Sequence, residues 1–455
     1  MYWTDGIIKT SLIPTKASFE VRKGWALSEI SARPKRYDRT EMIGRPTSFD
    51  KTATEGRRDT AVNRRIGGGL FLAGFATFSL LYCTQPLLPL LAQDFRVSPA
   101  ESSLALSLST GFLAIAIIGA AVVSEAIGRR GLMFASMAGA ALLNLATAAM
   151  PDWRFLLLCR AAEGFVLGGV PAVAMAYLAE EVDGDSIGLS MGLYVAGTAL
   201  GGMAGRVGAG ILADRLSWHA ALQIVGVIGI ATSIAFVVVL PASRNFVRQS
   251  GFHPRYHLRA WWSHLSDRGL PLLFAIGFLV MGAFVVVYNY AGFRLIAPPY
   301  GLDQSTIGLI FTVYAFGIVA SSVAGAAADR IGRRRVLPVG FGLAIAGTAL
   351  TLAGNLLVFV AGIVLLTIGF FITHSVASGW VGRLAATAKG HASSLYLLAY
   401  YIGSSVGGTA GGPFWSAGGW PAVAGFAGIY LLLGLVASVR LAAIIGADPD
   451  KGKPI

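Results

Sequence analysis

Apolar residues fall in long blocks along this chain and do not alternate with polar ones, a pattern of buried helices and not of half-exposed strands. Twelve blocks run at roughly 67–91, 102–123, 131–150, 153–179, 187–212, 218–240, 271–292, 305–328, 336–353, 356–382, 391–413 and 420–443. Each can hold a helix of about 20 residues, the length that crosses a bilayer. Some are separated by as little as Pro151-Asp152 or Gly354-Asn355, which predicts antiparallel hairpins. The polar stretch 241–270 divides the blocks six and six. An even number of crossings gives both halves one orientation. The predicted fold is an all-α membrane protein of twelve transmembrane helices in two parallel six-helix repeats. The expected divisions are a basic tail without fixed structure (1–65), a six-helix bundle (66–240), a central loop (241–270), a second bundle (271–445) and a short C-terminus (446–455).

Two internal repeats support that division. G-A-A-A-D-R-I-G-R-R-R, Gly325 to Arg335, lies between blocks eight and nine. A degraded copy from Ala121 through Glu125, Gly128, Arg129 and Arg130 lies between blocks two and three, at an offset of 204. In block five, Gly197, Gly201, Gly202 and Gly205 recur as Gly403, Gly407, Gly408 and Gly411 in block eleven, at an offset of 206 throughout. Tyr194 and Tyr400 match at the same offset.

The 455 residues are 55% hydrophobic and only 13% charged, and the 58 glycines suit helices that approach closely in lipid. The net charge of +13 raises the possibility of nucleic acid, but the placement of the charge argues against it. With a cytoplasmic N-terminus, 30 of the 36 lysines and arginines fall in cytoplasmic segments. This is the positive-inside pattern of a multi-pass protein with both termini cytoplasmic. The other six are Arg96, Arg154, Arg160, Arg206, Arg215 and Arg294. Residues 1–65 hold 14 basic and 8 acidic residues and no long apolar run, so no cleaved signal peptide is expected. Trp153, Trp218, Trp415 and Trp420 are placed as interfacial anchors, and Trp261-Trp262 in a short helix lying on the inner surface. Cys83 and Cys159, both in apolar blocks, have no disulfide or zinc spacing and read as packing thiols.

Chemistry resides in the few polar groups at membrane depth. Arg160 and Glu163 stand three residues apart and face the same way on a helix. Glu163 is the only acid placed deep in a block, ~15 Å from its start at 1.5 Å per residue. It is the expected proton carrier, with Arg160 as the partner that sets its proton affinity, against a static ion pair as the other reading. Asp329 and the arginines Arg330, Arg333 and Arg334, with Gly325 and Gly332, form an expected ion-pair latch at the cytoplasmic mouth. Glu125, Gly128, Arg129 and Arg130 form its counterpart. Gln85 and Tyr82 in block one, with Tyr288, Asn289 and Tyr290 in block seven, combine amides with aromatic faces, which suits an amphipathic, partly aromatic compound. Helix-to-helix hydrogen bonding is the other reading of these five residues. Arg206 is expected near the outer surface, snorkelling to it. His374 reads as a packed histidine in preference to a relay. There is no nucleophile–base spacing, metal cluster or phosphate loop, so no enzyme, no cofactor and no ATP drive is expected.

The hairpin G-x3-D-R-x-G-R-R is similar to the signature of the major facilitator superfamily. The runs Leu81 to Leu91, Val97 to Ser107, Ser124 to Ser136, Arg160 to Glu181 and Met191 to Val207 resemble the YnfM-type bacterial inner-membrane transporters, grouped with arabinose-efflux permeases and drug:proton antiporters. The first hairpin departs from the signature, with Ala121, Glu125 and Ala126 where Gly, Asp and Arg are usual. The resemblance implies alternating access and gives Arg160 a role in proton coupling. It implies that Gln85, Tyr82, Tyr288, Asn289 and Tyr290 line a substrate cavity. It also likens Gly197, Gly201, Gly202, Gly205 and Arg206 to the antiporter motif G-x3-G-P-x2-G-G, with Gly202 in place of its Pro and Arg206 in place of its last Gly. The expected function is therefore proton-coupled efflux of a small drug-like or sugar-like compound across the inner membrane. The expected partners are that compound, protons and the lipid bilayer, with no nucleic acid, and the expected state is a monomer. Proton-coupled uptake of a sugar or organic acid, and a non-transporting receptor, are the alternatives.

Overall fold

The computed structural model describes residues 48–182, 184–243, 246 and 254–446. The chain divides into two units, Met1–Glu55 and Gly56–Ile455, and every apolar span belongs to the second. The side chains of 48–61, 121–122, 125–126, 179, 184–187 and 446 lie outside what is described, as do residues 1–47 and 447–455.

Proline, glycine and capping residues decide where the helices begin and end. Helix α1 (Ser48–Tyr82) stops short of Pro86, which cannot donate to the next turn. A 3-10 turn, Gln85–Leu87, leads into α2 (Leu88–Asp94). Next come α3 (Pro99–Ile127), α4 (Arg129–Ala148), α5 (Trp153–Leu167), α6 (Pro171–Glu181), α7 (Gly184–Arg215) and α8 (Trp218–Val239). After α9 (Pro254–Leu265) come α10 (Leu270–Ile296), α11 (Gln304–Ile310), α12 (Tyr314–Ile331), α13 (Arg333–Leu350), α14 (Leu356–Leu384) and α15 (Lys389–Gly446). One end of the bundle carries the N-caps Ser98, Asp152, Ser217, Asp303 and Asn355, each accepting from backbone amides of the next helix. The other end carries the basic hairpins and is called the basic end below.

Ten helical stretches are long and apolar enough to cross a bilayer. The last of them, 57 residues from Lys389 to Ile445, breaks at Gly418 and Gly419 and so crosses twice. The 18 residues of α13 open on three arginines and supply the twelfth crossing. No strand occurs among the described residues. Large apolar side chains such as Leu142, Phe155, Leu158, Val238 and Leu357 are more than half exposed, as expected where the solvent is lipid.

Three expectations need correction. The tail, expected to lack fixed structure through residue 65, is helical from Ser48, because extending an existing helix avoids the cost of nucleation. Trp218 and Trp420 are buried and do not anchor in lipid: Trp218 donates to Asp94 Oδ2 at 2.7 Å and Trp420 to the Thr351 carbonyl at 2.9 Å. An indole N–H at a helix end takes a fixed acceptor when one is in reach. Trp261 packs against His391 and His257, and only Trp262, with Leu258 and Leu265, leaves an exposed apolar stripe on α9.

The two hairpins share one backbone device. Gly128 (φ +95°) links α3 to α4 and Gly332 (φ +90°) links α12 to α13, 204 residues apart. Side chains rarely adopt this conformation, which fixes glycine at both positions. Gly332→Ala and Gly128→Ala are each expected to destabilise by about 1–3 kcal/mol. Gly325→Ala, where an added Cβ meets open space, is expected to be near neutral. Thermal unfolding of the three purified variants checks this; equal melting for Gly332→Ala and wild type would refute it.

Candidate functional site

Arg160 and Glu163 lie on one face of α5, and both are fully buried. Because α1 ends at Tyr82, the carbonyls of its last turn have no amide of their own helix to bond. Arg160 takes them: Nη2 donates to the Leu81 carbonyl at 2.9 Å and Nη1 to that of Leu80 at 3.5 Å. Its Nε donates to the Ala105 carbonyl of α3 at 2.9 Å, and Nη1 also pairs with Glu163 Oε2. One guanidinium thus joins α1, α3 and α5. A cation at a helix C-terminus also opposes the negative end of the helix dipole. Ser109 Oγ donates to the Arg160 carbonyl at 2.8 Å, and Gly164 gives α3 the room to come that close. Glu163 Oε1 has no hydrogen-bond partner among the described residues.

At the basic end, Asp329 Oδ1 accepts from Arg333 at 3.0 Å and from Arg383 of α14 at 3.4 Å. Asp329 and Arg383 are both 59% exposed. In the first hairpin Arg129 is buried, pairs with Glu180 of α6 at 2.6 Å and donates to Ser124 Oγ. The Glu125 side chain lies outside the described residues. Arg130 donates to the Val237 carbonyl at the end of α8, and Arg334 donates to that of Ile445 at the end of α15, 2.8 Å away. Arg330 and Gly325 are exposed.

A third cluster lies where α7, the α1–α2 break and α10 meet. Arg206 is not at the surface as expected: only 2% of it is exposed. A helical side chain leans toward the N-terminus of its helix, so the guanidinium lies a turn back, inside the bundle. Its Nη1 donates to the Gly202 carbonyl and its Nε to Gln85 Oε1, both at 2.6 Å. Its carbon sits 3.9 Å from the Tyr82 ring centre and 4.7 Å from that of Tyr314. Gln85 passes the polarity on, Nε2 donating to Asn289 Oδ1 at 2.7 Å. Gly202 makes the arrangement possible, since a Cβ there would approach Arg206 Nη1 to 3.0 Å. The two departures from the antiporter motif, Gly202 and Arg206, therefore fit each other.

Of the five residues expected to line a cavity, Tyr82, Gln85 and Asn289 join this cluster directly. Tyr288 reaches it through Tyr314 (ring centres 5.6 Å apart) and bonds Thr367 at 2.7 Å. Tyr290 faces elsewhere, donating to the Gly408 carbonyl at 3.0 Å and stacking on Trp415. His374 lies among Phe370, Tyr396 and Tyr400, with Nδ1 3.0 Å from the Tyr396 hydroxyl. Gly197, Gly201 and Gly205 each bring α7 onto the α1 backbone, at Phe71, Phe75 and Ser79. Contacts close the cluster from the end opposite the basic one. Ser305 donates to Asp214 at 2.6 Å, Gln304 donates to the Pro86 carbonyl, and the backbones of Gly210 and Gly308 pack directly on each other. An apolar cavity of about 270 Å³ between α2 and α10, lined by Pro89, Gln93, Val97 and Phe293, lies at that same end.

The family profile of the Major Facilitator Superfamily matches residues 70–295 and again 279–454. The chain belongs to the major facilitator superfamily. It is 42% identical over 385 residues to the inner membrane transport protein YnfM of Escherichia coli (strain K12), covering 85% of this chain and 92% of that one. It is also 42% identical over 395 residues to the uncharacterized MFS-type transporter YybF of Bacillus subtilis (strain 168), covering 87% and 97%. Among solved structures, a point mutant of the nucleoside transporter NupG aligns with a TM-score of 0.67 at 14% identity, covering 85% of this chain and 100% of that one. A bacterial homolog of the human lysosomal transporter Spinster, in an inward-facing and occupied conformation, aligns with 0.62 at 16%, covering 85% and 96%. At such identities these two likenesses speak for the fold alone. This superfamily member is a multi-pass membrane protein and a secondary transporter, not an enzyme.

Sequence reasoning missed the hairpin partners Glu180 and Arg383. Both lie at the basic ends of α6 and α14, at nearly equivalent places in the repeat, and that position was the available signal. It also missed Tyr314, which nothing local marks. The ion pairs of this superfamily member differ in weight. Arg160→Leu, which leaves Glu163 buried without its cation, is expected to destabilise by about 3–5 kcal/mol. Asp329→Asn, at an exposed pair, is expected to change stability by less than about 1 kcal/mol. Melting temperatures in detergent check the order; an Asp329 effect equal to that of Arg160 would reverse it.

Proposed function

We propose that this transporter carries out proton-coupled efflux of a small amphipathic compound across the bacterial inner membrane, with both termini cytoplasmic. Residues 66–240 and 271–445 act as two halves that rock about the central cluster, exposing it to each side in turn. Glu163 is the proton carrier, Arg160 holds its charged form, and the hairpins around Asp329 and Arg129 steady one end state. The observation that carries this reading is the buried Glu163 with one oxygen unpartnered beside a fixed guanidinium. A carboxyl so placed has a lone pair free for a proton and a cation that loses its counter-charge when the proton binds. Support for export comes from the chain's resemblance to efflux members of the superfamily.

Everted membrane vesicles with an imposed proton gradient test the reading. Compounds from a panel of amphipathic drugs, acids and sugars are added while a pH-sensitive dye reports proton release. Glu163→Gln keeps the shape and the hydrogen bond to Arg160, and is expected to lower compound-driven proton release at least tenfold at unchanged protein level. Full release in that variant would remove Glu163 from the mechanism. Asp329→Asn is expected to slow turnover several-fold while leaving binding intact. Proton-coupled uptake is the second reading. One observation favours it: close packing of α7 on α1 accounts for Gly197, Gly201 and Gly205 without any export role. Accumulation of the compound by whole cells, in place of its loss from them, would decide for uptake.

A further inference from the structure

The cluster around Arg206 holds buried hydrogen-bond donors without partners. Arg206 is buried, yet no carboxylate lies within ion-pair distance of it among the described residues. Glu163, the deep acid, is occupied by Arg160. The ionised side chains at depth, Arg160, Glu163 and Arg206, therefore leave one positive charge uncompensated. Burying a guanidinium without an anion is unfavourable unless something else supplies the negative charge.

The direction of the hydrogen bonds sharpens the point. Arginine has no acceptor atom, so Gln85 must offer Oε1 to Arg206 and turn its amide nitrogen toward Asn289. Asn289 accepts with Oδ1, which leaves its own Nδ2 as a donor, buried and without a partner. The Tyr314 hydroxyl, on the ring that packs against Arg206, is likewise buried and unpartnered. Arg206 Nη2 has no hydrogen-bond partner among the described residues. Arg206 Nη2, Asn289 Nδ2 and the Tyr314 hydroxyl thus each hold a donor without a hydrogen-bond partner among the described residues; Asn289 is joined to Arg206 through Gln85, with the unpartnered Ser107 hydroxyl near its Nδ2 at Gly408, and Tyr314 is joined to Arg206 through its ring. Around them stand the rings of Tyr82, Phe311, Tyr288 and Phe284.

We propose that Arg206, with Asn289 and Tyr314, binds the carboxylate of the transported compound, and that the substrates are amphipathic monocarboxylates whose apolar body lies against these rings. The assignment rests on the transporter reading but not on its direction or on proton coupling. A carboxylate supplies both the charge and the acceptor lone pairs that the cluster lacks, and a guanidinium presents donors in the fork that a carboxylate accepts. Lipophilic cations are excluded by the same charge. The site is one-sided, because the position 206 residues after Arg206 is Gly412.

The test is equilibrium binding to the purified full-length protein in lipid nanodiscs, read by intrinsic fluorescence with melting as the control for folding. The probes are benzoate and octanoate, the neutral benzamide, the cation tetraphenylphosphonium, and chloride. At least one of the two acids is expected to bind, at least tenfold more tightly than benzamide or tetraphenylphosphonium, a comparison that needs no variant. Arg206→Gln is expected to lose at least tenfold in affinity for that acid, and Arg206→Lys to recover most of it. Acid binding of this kind without proton movement in vesicles would leave the site standing and reject the coupling. Equal binding of acid and amide, preference for the cation, an effect of chloride alone, unchanged acid binding in folded Arg206→Gln, or no binding of either acid would each overturn the proposal.

Discussion

A guanidinium in the middle of an apolar bundle must be given acceptors by the protein, because lipid has none. Arg160 obtains them from a broken helix. Pro86 ends α1, the last carbonyls of that helix are left without amides, and Arg160 reaches across from α5 to take them while its Nε holds α3. The defect in one helix and the charge in another are thus each other's remedy. Glu163 completes the arrangement from the same face of α5, so the acid is fixed in place by a cation that is itself fixed to three helices.

The repeat uses the same devices twice. Gly128 and Gly332 turn the two hairpins with nearly equal backbone angles, and Arg130 and Arg334 each tie a hairpin to the last carbonyls of a later helix. The glycine series packs α7 on α1, and its copy packs α15 on α10, where Gly403 and Gly407 meet the backbones of Phe278 and Gly282. Identical helix-to-helix geometry needs identical absence of side chains, and for that reason the offset survives in the sequence.

Much of this was legible in advance for physical reasons. Block length gives the crossings, because hydrocarbon thickness sets the length of a spanning helix. The positive-φ hairpin leaves a glycine that no other residue replaces. The i, i+3 pairing of Arg160 and Glu163 is local and can be read from spacing. What stayed hidden depends on neighbours remote in sequence. Counting residues along α7 puts Arg206 near the surface, but the side chain leans back by about a turn into space left by Gly202 and is received by Gln85, 121 residues away. The three successive residues Tyr288, Asn289 and Tyr290 group together in the sequence, yet on a helix they diverge, toward Thr367, Gln85 and Gly408. The partners of the hairpin charges, Glu180 and Arg383, stand on helices that no local pattern connects to those hairpins.

The two deep arginines therefore have different status. Every acceptor of Arg160 belongs to the protein, so the group is structural as well as chemical, and its freedom to move is small. Arg206 has only an amide oxygen, one carbonyl of its own helix and the faces of aromatic rings. These are weak compensation for a full charge. Two departures from a glycine-rich motif bring that charge into the bundle, and the later copy of the repeat retains Gly412 at the matching position. Arg129 is answered by Glu180, but no carboxylate among the described residues pairs with Arg206. Its isolation among donors, on one side of an otherwise repeated architecture, is what sets the electrical character of the central cluster.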